Sequence, residues 1–352
     1  MAVRRPSQNN FLDSMPDQPL ISVIIPTYNC AAYVGQAIAS VVAQTYDRHE
    51  IIVVDDGSTD ETKNVLGPYW EQIRYVYQDN RGLAGARNTG IREAQGDLIA
   101  FLDADDIWFS NKLALQVHAF KRHRKAGVVF ADFMDFDDAR VTRSSRLTTW
   151  PQAMAWFNRH RVGASEMAFG PMYEELLKAN WIHASSAIVR RDALSKVGWF
   201  DETLRAGEDL ELWLRVARRY PFLCVNRVLS GYRYRADSLC GPIDSRATRV
   251  NQIVVKVLEQ HLRRHEIPQE HVSSVRRVLC QRYWSLGWTY FGENRFAEAR
   301  GYFRQGLRYQ PFHREHWLYL CASFLPVAMI EAVRRVRRWG RSLHAHPETA
   351  AQ

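Results

Sequence analysis

Three carboxylates lie within four positions at Asp103, Asp105 and Asp106, directly after the apolar run 98–102. Such a run indicates a strand buried on both faces of a sheet, and the carboxyl ends of these strands face the ligand crevice in open α/β sheets. Asp103 and Asp105 are two residues apart, so they project to the same side of an extended chain. Mg²⁺ or Mn²⁺ takes one or two such carboxylates together with phosphate oxygens. The motif predicts a divalent metal site at Asp103 and Asp105; the alternative is a solvated loop that caps the next helix.

Two further acidic pairs are candidates for polar chemistry. Asp55 and Asp56 end an earlier apolar run, where their carboxylates can accept hydrogen bonds from a base or ribose. Taken alone, the Asp-Asp-Gly-Ser sequence is more typical of a turn with a helix cap. Glu208 and Asp209 precede an amphipathic helical pattern, and the helix dipole favours ionised carboxylates at that end. Helix capping is the alternative interpretation there too.

Basic and glycine-rich segments accompany these acids. Residues 82–88 read Gly-Leu-Ala-Gly-Ala-Arg-Asn and lead into a helix. Arg87 is either at a ligand or a solvated or salt-bridged surface residue. The small residues of this segment would also suit close helix packing. Arg233 and Arg235 lie in the sequence Tyr-Arg-Tyr-Arg, which is typical of a loop that binds phosphate.

Alternating strands and helices are needed to position these residues. Apolar runs separated by helical patterns predict an α/β fold with a parallel sheet and right-handed crossovers. The first strand is expected to stop at Pro26. The stretch 150–181 shows no clear period. The predicted strands are 20–25, 50–54, 73–77, 98–102, 127–131 and 184–189; helices are expected at 32–44, after 82–88, from about 111, from 190 and from about 210.

Composition narrows the functional classes. The 352 residues carry a formal charge of +9, which favours anionic partners such as nucleotide phosphates or acidic lipids. No nucleic-acid motif, G-x-G-x-x-G spacing or Walker A sequence is present, so a nucleic acid or dinucleotide partner is not expected. Five scattered cysteines without a C-x-x-C pair fit a reducing compartment. The polar first eighteen residues do not resemble a signal peptide, so a cytoplasmic protein is expected.

Together, five motifs in order resemble the family 2 glycosyltransferases with the GT-A fold. They occupy residues 22–29, 55–60, 82–88, 103–106 and 208–215, and the resemblance spans roughly 18–240. It implies a Rossmann-like, mostly parallel sheet flanked by helices. It also implies inverting transfer from a nucleotide sugar to a glycan or lipid-linked acceptor, in cell-surface polysaccharide biosynthesis.

The resemblance also implies roles for individual residues. Asp103 and Asp105 would hold Mg²⁺ or Mn²⁺ against the diphosphate, and Asp209 would be the catalytic base. Arg235 stands where the family often has His, which departs from the usual lid sequence. The residues expected to bind the nucleotide sugar are Pro26, Tyr28, Asn29, Asp55, Asp56, Gly82, Arg87, Asp103, Ala104, Glu208, Arg233 and Arg235.

The remaining chain predicts a C-terminal helical extension. We divide the sequence into a flexible segment (1–17), a catalytic domain (18–240), a helical extension (241–312) and a tail (313–352). The extension matches one tetratricopeptide-like hairpin between Tyr283 and Pro311. In the tail, the apolar stretch 317–330 precedes five arginines, so we expect it to lie on an anionic membrane surface; packing against the catalytic domain is the alternative.

Two other functions stay open on the sequence alone. A sugar nucleotidyltransferase would share the α/β architecture and the acidic metal ligands. It would leave Asp209 without a role, and the glycine-rich signature expected early in such a chain is missing. A non-catalytic module that binds sugar or protein is the third alternative, against which the intact set of Asp103, Asp105 and Asp209 argues.

Overall fold

The computed structural model of the chain describes residues 16–235 and 243–331. The chain divides into two compact units, residues 1–242 and 243–352. Among the described residues, no helix is both long and apolar enough to span a bilayer.

The first unit is a mixed α/β layer structure. Its strands are β1 (Ile21–Thr27), β2 (His49–Asp55), β3 (Ile73–Tyr77), β4 (Leu98–Phe101), β5 (Ile107–Trp108), β6 (Val128–Phe136), β7 (Val141–Arg143), β8 (Met167–Gly170), β9 (Ala187–Arg190) and β10 (Phe222–Arg233). Its helices are α1 (Val34–Val42), α2 (Thr62–Val65), α3 (Gly82–Glu93), α4 (Lys112–Arg122), α5 (Pro151–His160), α6 (Tyr173–Lys178), α7 (Arg191–Val197) and α8 (Glu208–Ala217).

One sheet runs in the order β3-β2-β1-β4-β9-β6-β10-β5, with β7 beside β6 and β8 beside β10. The strands β3, β2, β1 and β4 are parallel, as the strand–helix alternation predicts. β9 is antiparallel to both β4 and β6, so the pairing changes from parallel to antiparallel at this strand. All four residues of β9 are buried, as are the four of β4 beside it. The sheet centre is therefore covered on both faces.

The prediction that β1 stops at Pro26 is wrong, because the strand continues to Thr27 and pairs with β2 over its whole length. The Ile24 carbonyl accepts from Leu102 N on the β4 side, and the pairing between the two strands reaches only Ile24 and Phe101. The backbone nitrogen of Pro26, two residues further along β1, also points toward β4, beyond the last paired residues. Its missing N–H therefore costs no ladder hydrogen bond.

The stretch 150–181 is ordered although its sequence shows no clear period. It forms α5, β8 and α6, and its Trp156 is fully buried. The predicted strand 184–189 begins as a 3₁₀ turn, Ala184–Ser186, before β9 starts at Ala187. Short elements of this kind give too few residues for a periodic pattern to emerge.

The second unit is helical: α9 (Ile243–Arg263), α10 (Val272–Gly292), α11 (Phe296–Tyr309) and α12 (Arg314–Ala322). α10 and α11 pack closely, because a Cβ atom on Gly287 would lie 2.4 Å from Cε1 of Phe303. Gly306 likewise lies against the ring of His316, which is buried on α12. α10 and α11 occupy the residues for which the sequence predicts a hairpin, and its tetratricopeptide-like character stays a prediction. The arginines of the expected membrane segment lie outside the described residues.

Candidate active site

The loops after β1, β2 and β4 lie at the carboxyl edge of the parallel strands. Asp56 follows β2, and its carboxylate accepts from the backbone N–H groups of Arg81 and Gly82, both at 2.8 Å. These donors belong to the first turn of α3, so Asp56 caps that helix. Asp55 accepts from Ser58 N and from the Tyr75 hydroxyl. The turn-and-cap interpretation of this motif therefore describes the contacts that the two side chains make.

The loop after β1 contains three expected nucleotide-binding residues. Pro26 is buried in the strand, whereas Tyr28 is 52% exposed and Asn29 is exposed with a left-handed φ of 47°. The Asn29 side chain accepts from Thr59 N at 2.8 Å. This contact joins the β1 loop to the β2 loop. The exposed Tyr28 ring is free to stack on a planar ligand.

Arg87 connects two of the acidic motifs. It lies on α3 with only 2% of its side chain exposed, and it donates to Asp103 and to Glu208, each at 2.6 Å. Burial lowers the pKa of this guanidinium, but the two carboxylates outweigh burial and raise it. Burial raises the pKa of Asp103, while Arg87 brings it below its ordinary value. Arg87 is therefore a fixed cation at the centre of the site.

The predicted metal ligands lie in the loop after β4. Asp103 and Asp105 are partly exposed, with 21% and 25% of their side chains accessible. Ala104 between them is buried. Asp105 pairs with Arg235 at 3.3 Å, and burial together with Asp103 raises its pKa. Carboxylate oxygens are the donors that a hard divalent cation takes, so the chemistry of these two side chains suits Mg²⁺ or Mn²⁺.

Asp106 and His183 lie beside Asp103; the sequence analysis counts Asp106 among the three carboxylates but assigns it no role, and it does not single out His183. Asp103, Asp106 and His183 offer ligand atoms within 4.8 Å of one another. Asp106 is buried and accepts from Ser185 Oγ at 2.6 Å and from Arg233 N at 3.0 Å. Burial lowers the pKa of His183 to about 4, so its imidazole is neutral at physiological pH. The sequence signal for Asp106 is its place directly after Asp105, and that for His183 is a polar residue just before the apolar run 184–189.

Arg233 and Arg235 lie at the end of β10, next to the metal-candidate loop. The Arg233 guanidinium donates to the Asp105 carbonyl and to Gln36, and it lies over the rings of Tyr33 and Phe136. Arg235 also lies over Tyr33. Arg233 is the last residue of β10 and not part of a loop as the sequence suggests, and the phosphate-binding role of both arginines stays a prediction.

Asp209 lies in the first turn of α8, beside Glu208. Leu210 N donates to its Oδ1 at 2.7 Å, and Asn180 Nδ2 donates to its Oδ2 at 3.0 Å. Burial, and then the Glu208 carboxylate, raise the pKa of Asp209 to about 7. A carboxyl group of this pKa can take up a proton near neutral pH. The structure thus brings the candidate base and the carboxylates of the β4 loop to opposite sides of one buried arginine, Arg87.

The sequence of the chain is similar to those of known proteins. The family model described as Glycosyl transferase family 2 matches residues 22–198. A protein of Rickettsia felis named as an uncharacterized glycosyltransferase is 30% identical over 257 residues, which cover 72% of this chain and 40% of that protein. TuaG of Bacillus subtilis, named for teichuronic acid biosynthesis, is 29% identical over 63% of this chain and 82% of its own length.

A solved structure extends the likeness to three dimensions. The mannosyltransferase PcManGT of Pyrobaculum calidifontis, solved with GDP-Man and Mn²⁺, superposes with a TM-score of 0.57 at 20% identity. The match covers 87% of this chain and 86% of that protein. It confirms the expected α/β class and GT-A fold.

Proposed function

The chain belongs to glycosyl transferase family 2, and we propose that it moves a sugar from a nucleoside diphosphate sugar to a hydroxyl group of a glycan or lipid-linked acceptor, with inversion at the anomeric carbon. The match spans only 40% of the length of the relative from Rickettsia felis. The activity is therefore a proposal for this chain and is not taken over from that protein.

The observation that carries the proposal is the buried connection from Asp103 through Arg87 to Glu208, the residue beside Asp209. It supports a site in which the donor phosphates bind near Asp103 and the acceptor hydroxyl near Asp209. In a single displacement, the ionised Asp209 takes the hydroxyl proton while the oxygen attacks the anomeric carbon. The bond to the diphosphate breaks at the same time, so one base and no protein nucleophile suffice.

Asp103 and Asp105 are the residues that would hold Mg²⁺ or Mn²⁺. A divalent ion there supplies charge neutralisation for the leaving diphosphate. Arg233 and Arg235 are proposed to contact the donor phosphates, since guanidinium groups pair well with phosphate oxygens. Tyr28, Asn29 and Asp56 are proposed to contact the nucleoside. PcManGT, which was solved with GDP-Man and Mn²⁺, supports a nucleotide-sugar donor and a divalent ion.

A panel of nucleotide sugars tests the proposal. Purified full-length chain with Mn²⁺ should release nucleoside diphosphate from one or a few donors, and the release should accelerate with an acceptor glycan. Release of pyrophosphate from a sugar phosphate and a nucleoside triphosphate would instead identify a nucleotidyltransferase. No turnover of any donor, together with sugar binding, would identify a non-catalytic module and overturn the proposal.

The similarity to TuaG supports a role in polysaccharide biosynthesis. We propose that the enzyme is cytoplasmic and adheres to an anionic membrane surface, where a lipid-linked acceptor would be available. Exposed apolar side chains of the second unit support this. They are Phe312, Trp317, Leu318, Phe324, Leu325, Val327 and Met329. Five arginines follow between positions 334 and 341 of the sequence, and each basic residue near an anionic surface contributes about 1 kcal/mol.

Liposome flotation tests the membrane proposal. The full chain should float with vesicles of phosphatidylglycerol and phosphatidylcholine at low salt, and much less with phosphatidylcholine alone. Replacing Phe324 and Leu325 by Ser should weaken flotation without unfolding the protein, because both side chains are exposed. Trp70→Ser, at an exposed aromatic of the first unit, is the control. Absence of the full chain from the anionic vesicle fraction would contradict the proposal.

A further inference from the structure

Asn180 contacts the candidate base from outside its helix. It lies between α6 and the Ala184–Ser186 turn, and its Nδ2 donates to Asp209 Oδ2 at 3.0 Å. The other carboxylate oxygen, Oδ1, accepts from Leu210 N at 2.7 Å. Asn180 is therefore the side chain that fixes the second oxygen of Asp209.

The orientation of the Asn180 amide is set by its own surroundings. Ile182 N donates to Asn180 Oδ1 at 3.3 Å, which assigns Oδ1 to that side and leaves Nδ2 toward Asp209. The Ile182 carbonyl in turn accepts from Trp213 Nε1 at 3.2 Å. Trp213 and Asp209 both belong to α8. The loop is thus attached to α8 one turn beyond the carboxylate that Asn180 contacts.

We propose that Asn180 is a positioning residue for glycosyl transfer, whose amide holds the Asp209 carboxylate in one orientation and favours its ionised form. The inference rests on the proposed function of Asp209. It adds to that function a residue from a loop that none of the five sequence motifs contains. A hydrogen-bond donor to a carboxylate stabilises the charged form over the neutral one.

The groups around Asp209 act in opposite directions. Burial and the neighbouring Glu208 raise its pKa, while Arg87, Leu210 N and Asn180 lower it. Arg87 also serves Asp103 and Glu208, so changing it would disturb the whole site. Of the three groups that lower the pKa, Asn180 is the neutral side chain, so its replacement removes no charge. Its substitution therefore isolates the hydrogen bond.

The test is the pH dependence of kcat/KM for the full-length enzyme with its donor. Asn180→Ala should move the acidic limb upward by about one pH unit, since a hydrogen bond to a charged group is lost. Asn180→Asp is nearly isosteric and adds a negative charge, so its shift should be larger. At low pH the Ala variant should lose about 10-fold in kcat/KM, recover most of it at high pH, and retain donor affinity.

Asn226→Ala, in the first half of β10, is the matched control and should leave the profile unchanged. An unshifted acidic limb in both Asn180 variants, each shown to be folded, would overturn the proposal. If Asn180→Ala does not fold, the Asn180→Asp profile decides. The proposed function fails separately, when Asp209→Asn keeps its activity, whereas an inactive Asp209→Asn with an unshifted Asn180→Ala overturns only the inference.

Discussion

Arg87 donates to the Glu208 carboxylate at 2.6 Å across 121 residues of sequence, and its other terminal nitrogen donates to Asp103. The pair joins α3, which begins with the glycine-rich segment, to α8, which carries the candidate base. A single buried cation thereby couples the predicted phosphate end of the site to the predicted acceptor end.

Removing this cation should destabilise the fold. Arg87→Met leaves two carboxylates without their partner, one of them buried, and a broken buried pair costs about 3–5 kcal/mol in the free energy of unfolding. Arg87→Met with Glu208→Gln should recover part of that loss. Arg74→Met removes a half-exposed partner of Glu50 and should cost less than about 1 kcal/mol. Urea unfolding measures all three, and equal losses for Arg87→Met and Arg74→Met would contradict the coupling.

Activity should fall as the pH drops through about 7. Burial and Glu208 raise the pKa of Asp209 to that value, and the protonated carboxyl cannot accept the acceptor proton. The sign for stability is opposite: a pKa raised in the folded state means that the folded chain binds more protons, so this group lowers stability as pH rises from about 4 to about 7. Initial rates between about pH 5 and 9 check the first statement. A flat profile would contradict it.

Neighbouring carboxylates of the β4 loop should behave differently. Asp105→Asn should abolish metal-dependent donor binding and leave the melting temperature nearly unchanged, because the side chain is partly exposed. Asp106→Asn should lower the melting temperature, because its buried carboxylate accepts from Ser185 and from Arg233 N. Titration calorimetry with a nucleoside diphosphate, in Mn²⁺ or in EDTA, measures donor binding by each variant, and thermal unfolding measures its melting temperature. Full activity in excess EDTA would contradict the metal assignment.

Two glycines of α11 give a matched test of the second unit. A Cβ on Gly306 would lie 2.0 Å from His316 Cε1, so Gly306→Ala should destabilise this packing by about 1–3 kcal/mol. Gly301 has nothing within 4 Å of its added Cβ, so Gly301→Ala should be neutral or stabilising by up to about 1 kcal/mol. Thermal unfolding compares them. Equal melting temperatures would mean that α12 does not pack on α11 as described.

The sequence predicts the parts of this site that follow strand ends. Asp56, Asp103 and Asp209 are found because local apolar runs or helical periods precede or follow them. Asn180 and His183 could not be found this way, since their partners are brought close only by the fold. Ser185 meets Asp106 across 79 residues, for example, and Asn180 meets Asp209 across 29. The strand at 184–189 is predicted, but the antiparallel direction of β9 is not, because pairing direction depends on distant strands.

The most direct test of the central claim is Asp209→Asn, which keeps the size of the side chain and removes its ability to take a proton. We expect kcat for sugar transfer to fall by about 10²-fold or more, while the dissociation constant of the nucleotide sugar changes little. This pattern would assign Asp209 to the chemical step. Retention of most of the wild-type kcat, with unchanged donor binding, would remove Asp209 from the mechanism and contradict the account.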